Sequence, residues 1–332
     1  MKKEPFFKGA AGALALAAFT LVLALLSLRM GSANLSSSAF FSGLFGRAGF
    51  ETETLIIRGV RLPRVLGAML AGAGLSVSGL LLQNIMGNAL AGPNVIGVNA
   101  GAGFFTILIL YFLEAYYMYS PAAAFLGAFL TTLFIVLLAK RVNAAKNSIV
   151  LAGVAVTALL NAGISMISLL DADVLSQYNA FSIGGLSSIK TEALLFPAIM
   201  ILAGCVISFV FSRQIDAMAL GDGVAQSLGV NVRGVRFLLI AVSSACAGAV
   251  VSFAGLMGFV GLIVPHIARR LTGAETRGAL ISSVFVGSSI VLLADLAGRL
   301  IFAPSEIPAG LVMAFIGVPF FFYLLFRRES AC

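Results

Sequence analysis

The chain has 332 residues, of which 60% are hydrophobic and only 10% charged, and its mean hydropathy is +1.08. A soluble domain carries about 25% charged residues, so a water-soluble enzyme or binding module is excluded at once. The net charge of +8 would suggest nucleic acid for a soluble protein; in a chain this apolar it is expected from basic loops that orient a polytopic membrane protein, and no nucleic-acid partner is expected.

Cys205, Cys246 and Cys332 are far apart, which is neither a disulfide framework nor a metal spacing. The single histidine, His266, cannot build a metal site that wants three or four ligands. No Gly-rich loop ends in Gly-Lys-Ser/Thr, so the chain is not expected to hydrolyse ATP itself.

A membrane-crossing helix needs roughly 20 mostly apolar residues. The first run, 10–28, follows Lys2, Lys3 and Lys8 as a signal peptide would. It is longer than a signal core of about 7–15 residues, so a retained span is expected. Residues 29–64 form a loop with a short surface helix near "SSSAFFSGLFG", and end in "RGVRLPR" (58–64). The second run, 65–82, carries small residues on two faces: Gly67, Ala71, Gly74 and Ser78 on one, Ala68, Gly72, Ser76 and Gly79 on the other. Such a helix suits close contact on several sides and is read as a central packing helix.

Further runs follow at 93–113, 121–139 and 149–170. In the last of these Thr157, Asn161, Ser165 and Ser168 recur at helical spacing. A polar stripe in a membrane helix either lines a pathway or hydrogen-bonds a neighbour, and spacing leaves both open. After a run at 193–211 comes the longest internal loop, 212–236, where Leu220, Val224 and Leu228 make an apolar stripe on a short helix, with Asp222 and Gln226 off it. The stretch from Phe237 to Pro265 has 29 residues without a charge, about 43 Å as one helix. Arginines flank both ends, so the chain is expected to cross at 237–254, turn at "AGLMG" (254–258), and return in a short helix near 257–268. A short return is tolerable only where protein buries it. Runs at 279–298 and 308–326 complete an all-α polytopic integral membrane protein of ten transmembrane helices, both termini cytoplasmic, with 1–332 a single transmembrane domain.

In this topology 14 of the 21 Lys and Arg lie inside and seven outside. Five of the seven, Arg29, Arg47, Arg58, Arg61 and Arg64, crowd into the first external loop. Beyond residue 64 the count is 11 inside against two outside, and this majority sets the orientation. The "RGVRLPR" cluster thus violates the positive-inside tendency locally and needs another explanation.

The motifs "RLPR" (61–64), "AGAGLSVSGLLLQ" (71–83), "NALAGPNVIGVNAGAGF" (88–104), "LAGVAVTALL" (151–160), "ALGDGVAQSLGV" (219–230), "GFVGLIVPHIARRLTG" (258–273), "LLADLAGRL" (292–300) and "EIPAGLVMAFIGVPFFFYLL" (306–325) together resemble the permease family of ATP-binding-cassette importers for iron–siderophore complexes, haem and cobalamin. The resemblance covers about residues 55–326. Two departures, Ala89 where the family has Pro and Gly92 where an acid is common, touch loop geometry only.

The resemblance implies ten spans per subunit and both ends cytoplasmic. It implies docking of an extracytoplasmic substrate-binding protein by Arg61, Arg64 and Arg299; Arg58 lies outside the matched motif. Two other readings stand beside docking: anchoring in lipid headgroups and, for Arg299, an internal ion pair with Asp295 one turn earlier. The resemblance further implies that 216–230 couples to the ATPase subunit, with Asp216, Leu220, Gly221, Asp222, Val224, Leu228 and Gly229 in that segment. It places Thr157, Asn161, Ser165 and Ser168 at the translocation pathway or at the seam with a second permease copy, in a homodimer or a pair of close relatives. ATP and Mg belong to the partner ATPase, no cofactor to this chain, and the cargo is a metal chelate, most of the family serving iron. The alternative, an ion-coupled secondary transporter, needs ionisable residues within the membrane, and the spans hold almost none.

Overall fold

The computed structural model describes residues 9–31, 36–47, 49–141, 146–301 and 303–329. Lys2, Lys3, Lys8 and Cys332 lie outside them. Every regular element among the described residues is helical.

The first run is α1 (Ala10–Arg29), and the expected surface helix is α2 (Ser37–Phe45). The Ser36 hydroxyl caps α2, accepting from the Ala39 N–H, and Gly46 (φ 67°) closes its other end. The short α3 (Glu51–Thr54) and a π-helical turn (Leu55–Arg61) run straight into α4 (Leu62–Met86). Pro63, which donates no backbone hydrogen bond, sits where the π-helical turn passes into α4; the Leu62 N–H before it still donates to the Ile57 carbonyl. Next come α5 (Val98–Phe112), α6 (Ser120–Arg141), α7 (Lys146–Leu170) and α8 (Ala172–Ile183), the last capped by Asp171 and not anticipated from the sequence. Then α9 (Leu195–Val210), α10 (Ser212–Ala219), α11 (Asp222–Ser227), α12 (Val232–Ala254), α13 (Val260–Thr272), α14 (Thr276–Leu300) and α15 (Ala309–Glu329) complete the chain.

Among the described residues, seven helical stretches are long and apolar enough to cross a membrane: Ala10–Arg29, Glu51–Met86, Glu114–Ala139, Ser148–Leu170, Thr191–Val210, Val232–Ala254 and Thr276–Leu300. Val98–Phe112 and Ala309–Leu324 are shorter apolar helices. The protein is thus an all-helical, multi-pass membrane protein. The helix expected over 93–113 starts late because Gly97 (φ 75°) separates α5 from a single 3-10 turn at Pro93–Ile96.

The helix α4 is the axis of the bundle. Twenty of its 25 residues are buried, and it packs against α9, α12, α13 and α14. Its small residues make this possible. Gly72 lies against the backbone of Gly287 in α14, Gly79 against that of Gly261 in α13, and Gly74 against Val250 of α12 and Ile201 of α9. Serines seal the seams: the Ser78 and Ser243 hydroxyls share a hydrogen bond of 2.7 Å, and Ser288 donates to the Met69 carbonyl at 2.8 Å. The two small faces read from the sequence therefore meet different neighbours.

The chain reverses after α12, as the charge-free stretch required. Gly255 (φ 69°) ends the helix, and Phe259 (φ 65°) starts α13, a helix of 13 residues. The turn is irregular backbone, tied to the segment after α7 by backbone hydrogen bonds. Leu256 N–H donates to the Phe181 carbonyl at 3.2 Å, and Gly185 N–H to the Ala254 carbonyl at 2.8 Å. Helix α13 is held against α4 by Gln83, whose amide donates to the Gly261 and Leu262 carbonyls and whose oxygen accepts from Arg269.

Candidate functional site

Two polar clusters sit at opposite ends of the bundle. One lies where α1 and α14 finish and α4 and α15 begin; the other surrounds α10 and α11.

At the first end, Arg61, Arg64 and Arg299 are buried, only 4%, 6% and 3% exposed. Each has internal partners. Arg64 grips Asp295 with its Nε, at 2.9 and 3.1 Å from the two carboxylate oxygens, and donates through Nη1 to Glu306 at 2.6 Å. Arg299 stands one helical turn after Asp295, with its Nε 3.1 Å from the carboxylate. Arg299 also donates to the Ser27 and Met30 carbonyls and to the Ser27 hydroxyl. Arg61 donates to the Leu28 and Arg29 carbonyls at 3.0 and 2.6 Å.

The logic is that of a helix C-terminus. The last carbonyls of α1 have no intrahelical donors and carry the negative end of the helix dipole. Two guanidinium groups, delivered by the π-helical turn and by α14, satisfy Ser27, Leu28, Arg29 and Met30 together. Asp295, fully buried, balances Arg64 and Arg299 in a low-dielectric setting where a lone charge is costly. The internal ion pair weighed for Arg299 is present. A substrate-binding protein's carboxylate would reach these three arginines only by exchanging with Asp295, Glu306 or the α1 carbonyls. Glu306 is the partner that the sequence reading missed. Its signal is that it is the only acid between Asp295 and Glu329.

The charge that faces outward at this end belongs to other residues. Arg29, Arg47 and Arg58 are exposed. Arg58 is fixed by its Nε and Nη2, both donating to the Leu44 carbonyl at the end of α2, at 3.1 and 2.8 Å.

At the second end, Leu220, Val224 and Leu228 are 70%, 47% and 65% exposed. The single short helix expected over them is interrupted. Gly221 (φ 115°) starts α11 and Gly229 (φ 82°) follows it, so Leu220 and Leu228 flank the helix that carries Val224. Ala225, on the other side of α11, is fully buried. Three linkages tie this segment to the bundle. Asp222 pairs with Arg236 of α12, both carboxylate oxygens 2.7 Å from Nη2. Asp216 accepts from the Thr276 N–H at 3.0 Å and from its hydroxyl at 2.5 Å, capping α14. Arg277 donates to the Ser212 hydroxyl at 3.0 Å and lies 5.2 Å from the centre of the Phe209 ring. A force applied to α10 and α11 is therefore delivered to the starts of α12 and α14.

On α7, Asn161 and Ser165 are exposed while Thr157 and Ser168 are half-buried. The Thr157 hydroxyl oxygen is buried and has no hydrogen-bond partner among the described residues. The stripe is thus not consumed by neighbours in its own chain. Among the described residues, no group of three or more His, Cys, Asp or Glu is placed to hold a metal ion.

The long apolar helices, the short buried return and charged clusters at the two ends define a multi-pass membrane protein. The FecCD transport family model matches residues 19–327, and the chain belongs to that family. It is 38% identical over 316 residues to the Fe(3+)-citrate import system permease protein YfmE of Bacillus subtilis, covering 94% of this chain and 93% of that one. It is 33% identical over 318 residues to the hemin transport system permease protein HmuU of Yersinia pestis, covering 93% and 95%. A solved structure described as an inward-facing conformation of a metal-chelate type ABC transporter superposes with a TM-score of 0.83 at 29% identity, covering 95% of this chain and 98% of that one.

Proposed function

We propose that the chain is the membrane-spanning permease of a binding-protein-dependent ABC importer that carries a metal chelate, most closely a ferric chelate or haem, into the cytoplasm. In this reading α1, α4, α5, α6, α7, α9, α12, α13, α14 and α15 make ten crossings, both termini are cytoplasmic, and the α2 end faces outward. A substrate-binding protein delivers cargo at that end, where Arg61, Arg64 and Arg299 organise the mouth. ATP and Mg act on separate ATPase subunits at the α11 end. Two permease copies pair, and the path opens and closes by alternating access. The names of the relatives support the chelate class, and the basic residue distribution supports the orientation.

The observation that carries the ATPase coupling is the exposed ridge of Leu220, Val224 and Leu228 on a segment bolted to α12 and α14. Such apolar side chains, held outside the bundle by Gly221 and Gly229, fit burial in a groove of a partner. Burying one such side chain contributes about 1.5–3 kcal/mol, which is at least about tenfold in affinity. Leu220→Asp, Val224→Asp and Leu228→Asp together should abolish co-purification of the ATPase subunit while leaving the permease folded, because all three side chains already face solvent. Undiminished co-purification by the triple variant would overturn the coupling assignment.

The α7 stripe fits a pathway wall or a seam between copies, since hydroxyl and amide groups facing hydrocarbon alone are disfavoured. Ser165→Cys is expected to react with a membrane-impermeant thiol reagent if it lines a path, or to cross-link two copies if it lies at the seam. A thiol reactive to neither, only to lipid-soluble reagents, would place the stripe against lipid and remove it from both roles.

A further inference from the structure

The exposed arginines of the α2 end stand in a setting that the transport reading does not use. Helix α2 is apolar on both sides. Phe40 packs inward, while Phe41 and Phe45, one turn apart, point out and are 59% and 70% exposed. Leu55 is 70% exposed and Val60 also lies open on the following π-helical turn. A helix with apolar side chains on its outer face is not suited to water; beside a bundle of membrane-crossing helices that face fits the boundary between headgroups and acyl chains.

At the same end lies an open, shallow groove of about 570 Å³, lined by Arg47, Glu51, Thr54, Leu55 and Arg58 with glycines Gly46 and Gly59. Its charges are preset. Gly46 and Arg47 close α2 in a Schellman arrangement, Gly46 N–H donating to the Gly43 carbonyl and Arg47 N–H to that of Ser42, so the Arg47 backbone is fixed. Among the described residues no group takes a hydrogen bond from the Arg47 guanidinium. Arg58 spends Nε and Nη2 on the Leu44 carbonyl, which holds its guanidinium beside Gly46. Glu51 adds one carboxylate to the same lining as the two arginines, without an ion pair to either.

We propose that this groove binds the headgroup of a phosphatidylethanolamine molecule from the outer leaflet. The phosphate sits between Arg47 and Arg58, where guanidinium groups match phosphate oxygens. The ammonium sits at Glu51, and the acyl chains run along Phe45, Phe41 and Leu55. Glu51 disfavours a purely anionic headgroup and equally a carboxylate-bearing protein surface, and the surrounding exposed Phe and Leu suit lipid. The outer-leaflet placement rests on the orientation given above, whereas the groove itself does not. The Lys and Arg excess that breaks the positive-inside tendency in this loop then divides: Arg61 and Arg64 hold helices together, Arg47 and Arg58 hold lipid, and Arg29 donates to the Ser37 hydroxyl.

The test is native mass spectrometry of the full chain purified in detergent and titrated separately with phosphatidylethanolamine, phosphatidylglycerol and phosphatidylcholine. Arg47→Gln is expected to weaken phosphatidylethanolamine binding about fivefold, the effect of one basic residue at a lipid surface. Glu51→Gln is expected to shift preference from phosphatidylethanolamine to phosphatidylglycerol. Arg58→Gln is less suitable because it also frees the Leu44 carbonyl. Unchanged phosphatidylethanolamine binding by Arg47→Gln overturns the site, and unchanged preference by Glu51→Gln overturns the ethanolamine assignment. Loss of substrate-binding-protein affinity by Arg47→Gln, with lipid binding intact, reassigns the groove to protein docking. ATPase co-purification is independent of all these outcomes, so failure here is distinguishable from failure of the transport reading.

Discussion

Asp295→Asn is expected to destabilise the protein by about 3–5 kcal/mol, the cost of stripping the partner from buried charge. The substitution keeps the shape of the side chain and removes only its charge. Arg64 and Arg299, both buried, would then face each other across a neutral amide, with Glu306 as the one remaining carboxylate of the cluster. The measurement is thermal unfolding of the purified chain in one detergent, followed by the monodisperse fraction on size exclusion. Arg64→Met combined with Asp295→Leu should recover part of the loss, because it removes an opposed pair and returns the cluster to neutrality, with Arg299 and Glu306 as its remaining charges. Arg299→Met should behave differently: it uncaps the Ser27 and Met30 carbonyls and is expected to loosen the end of α1, seen as faster amide exchange there. An Asp295→Asn protein as stable as the parent would show that the cluster is solvated in the membrane and is not the clasp described above.

Gly79→Val is expected to prevent α4 and α13 from docking and to abolish recovery of folded protein. A Cβ built on Gly79 meets the Gly261 carbonyl, which is backbone and cannot change rotamer. Inserting bulk into a well-packed core costs about 1–3 kcal/mol where side chains can adjust, and here two helices must move apart. Gly79→Ala tests the same contact with one methyl group and should already lower the unfolding temperature. Gly72→Ala is expected to match it, since Gly72 and Gly287 oppose each other in the same way. Gly223→Ala is the control: a Cβ there meets nothing within 4 Å, and its backbone φ is ordinary. Equal tolerance at Gly79 and Gly223 would remove the close-packing account of α4.

Much of the fold is legible in the sequence. Hydrophobic run length located α1, α4, α6, α7, α9, α12, α14 and α15 because a membrane-crossing helix needs a minimum of apolar length. The short return at α13 followed from charge on both flanks of a run too long for one crossing. Helix α8 was missed because it is neither long nor strongly apolar, and the break at Gly221 because an apolar spacing of four continues smoothly through a turn. The late start of α5 was hidden for a similar reason: Gly97 lies inside an otherwise continuous apolar stretch.

The site was legible in a different way. Residue type and motif singled out Arg61, Arg64 and Arg299, and periodicity singled out Leu220, Val224 and Leu228. Periodicity concerns a helix's own surface: it grouped Leu220, Val224 and Leu228, all exposed in the structure, but on one helix that Gly221 and Gly229 in fact interrupt. It says nothing of where a long side chain ends. A guanidinium group on a flexible stem reaches whichever acceptor the packed chain presents, and that acceptor is 231 residues away for Arg64 and Asp295. The sequence by itself determined that this is a multi-pass helical protein of one family, with excess positive charge in its first long loop. Only the tertiary structure decided which of those cations are buried against the end of α1 and Asp295 and which are left to face a membrane or a partner, because burial and pairing depend on which helix ends meet.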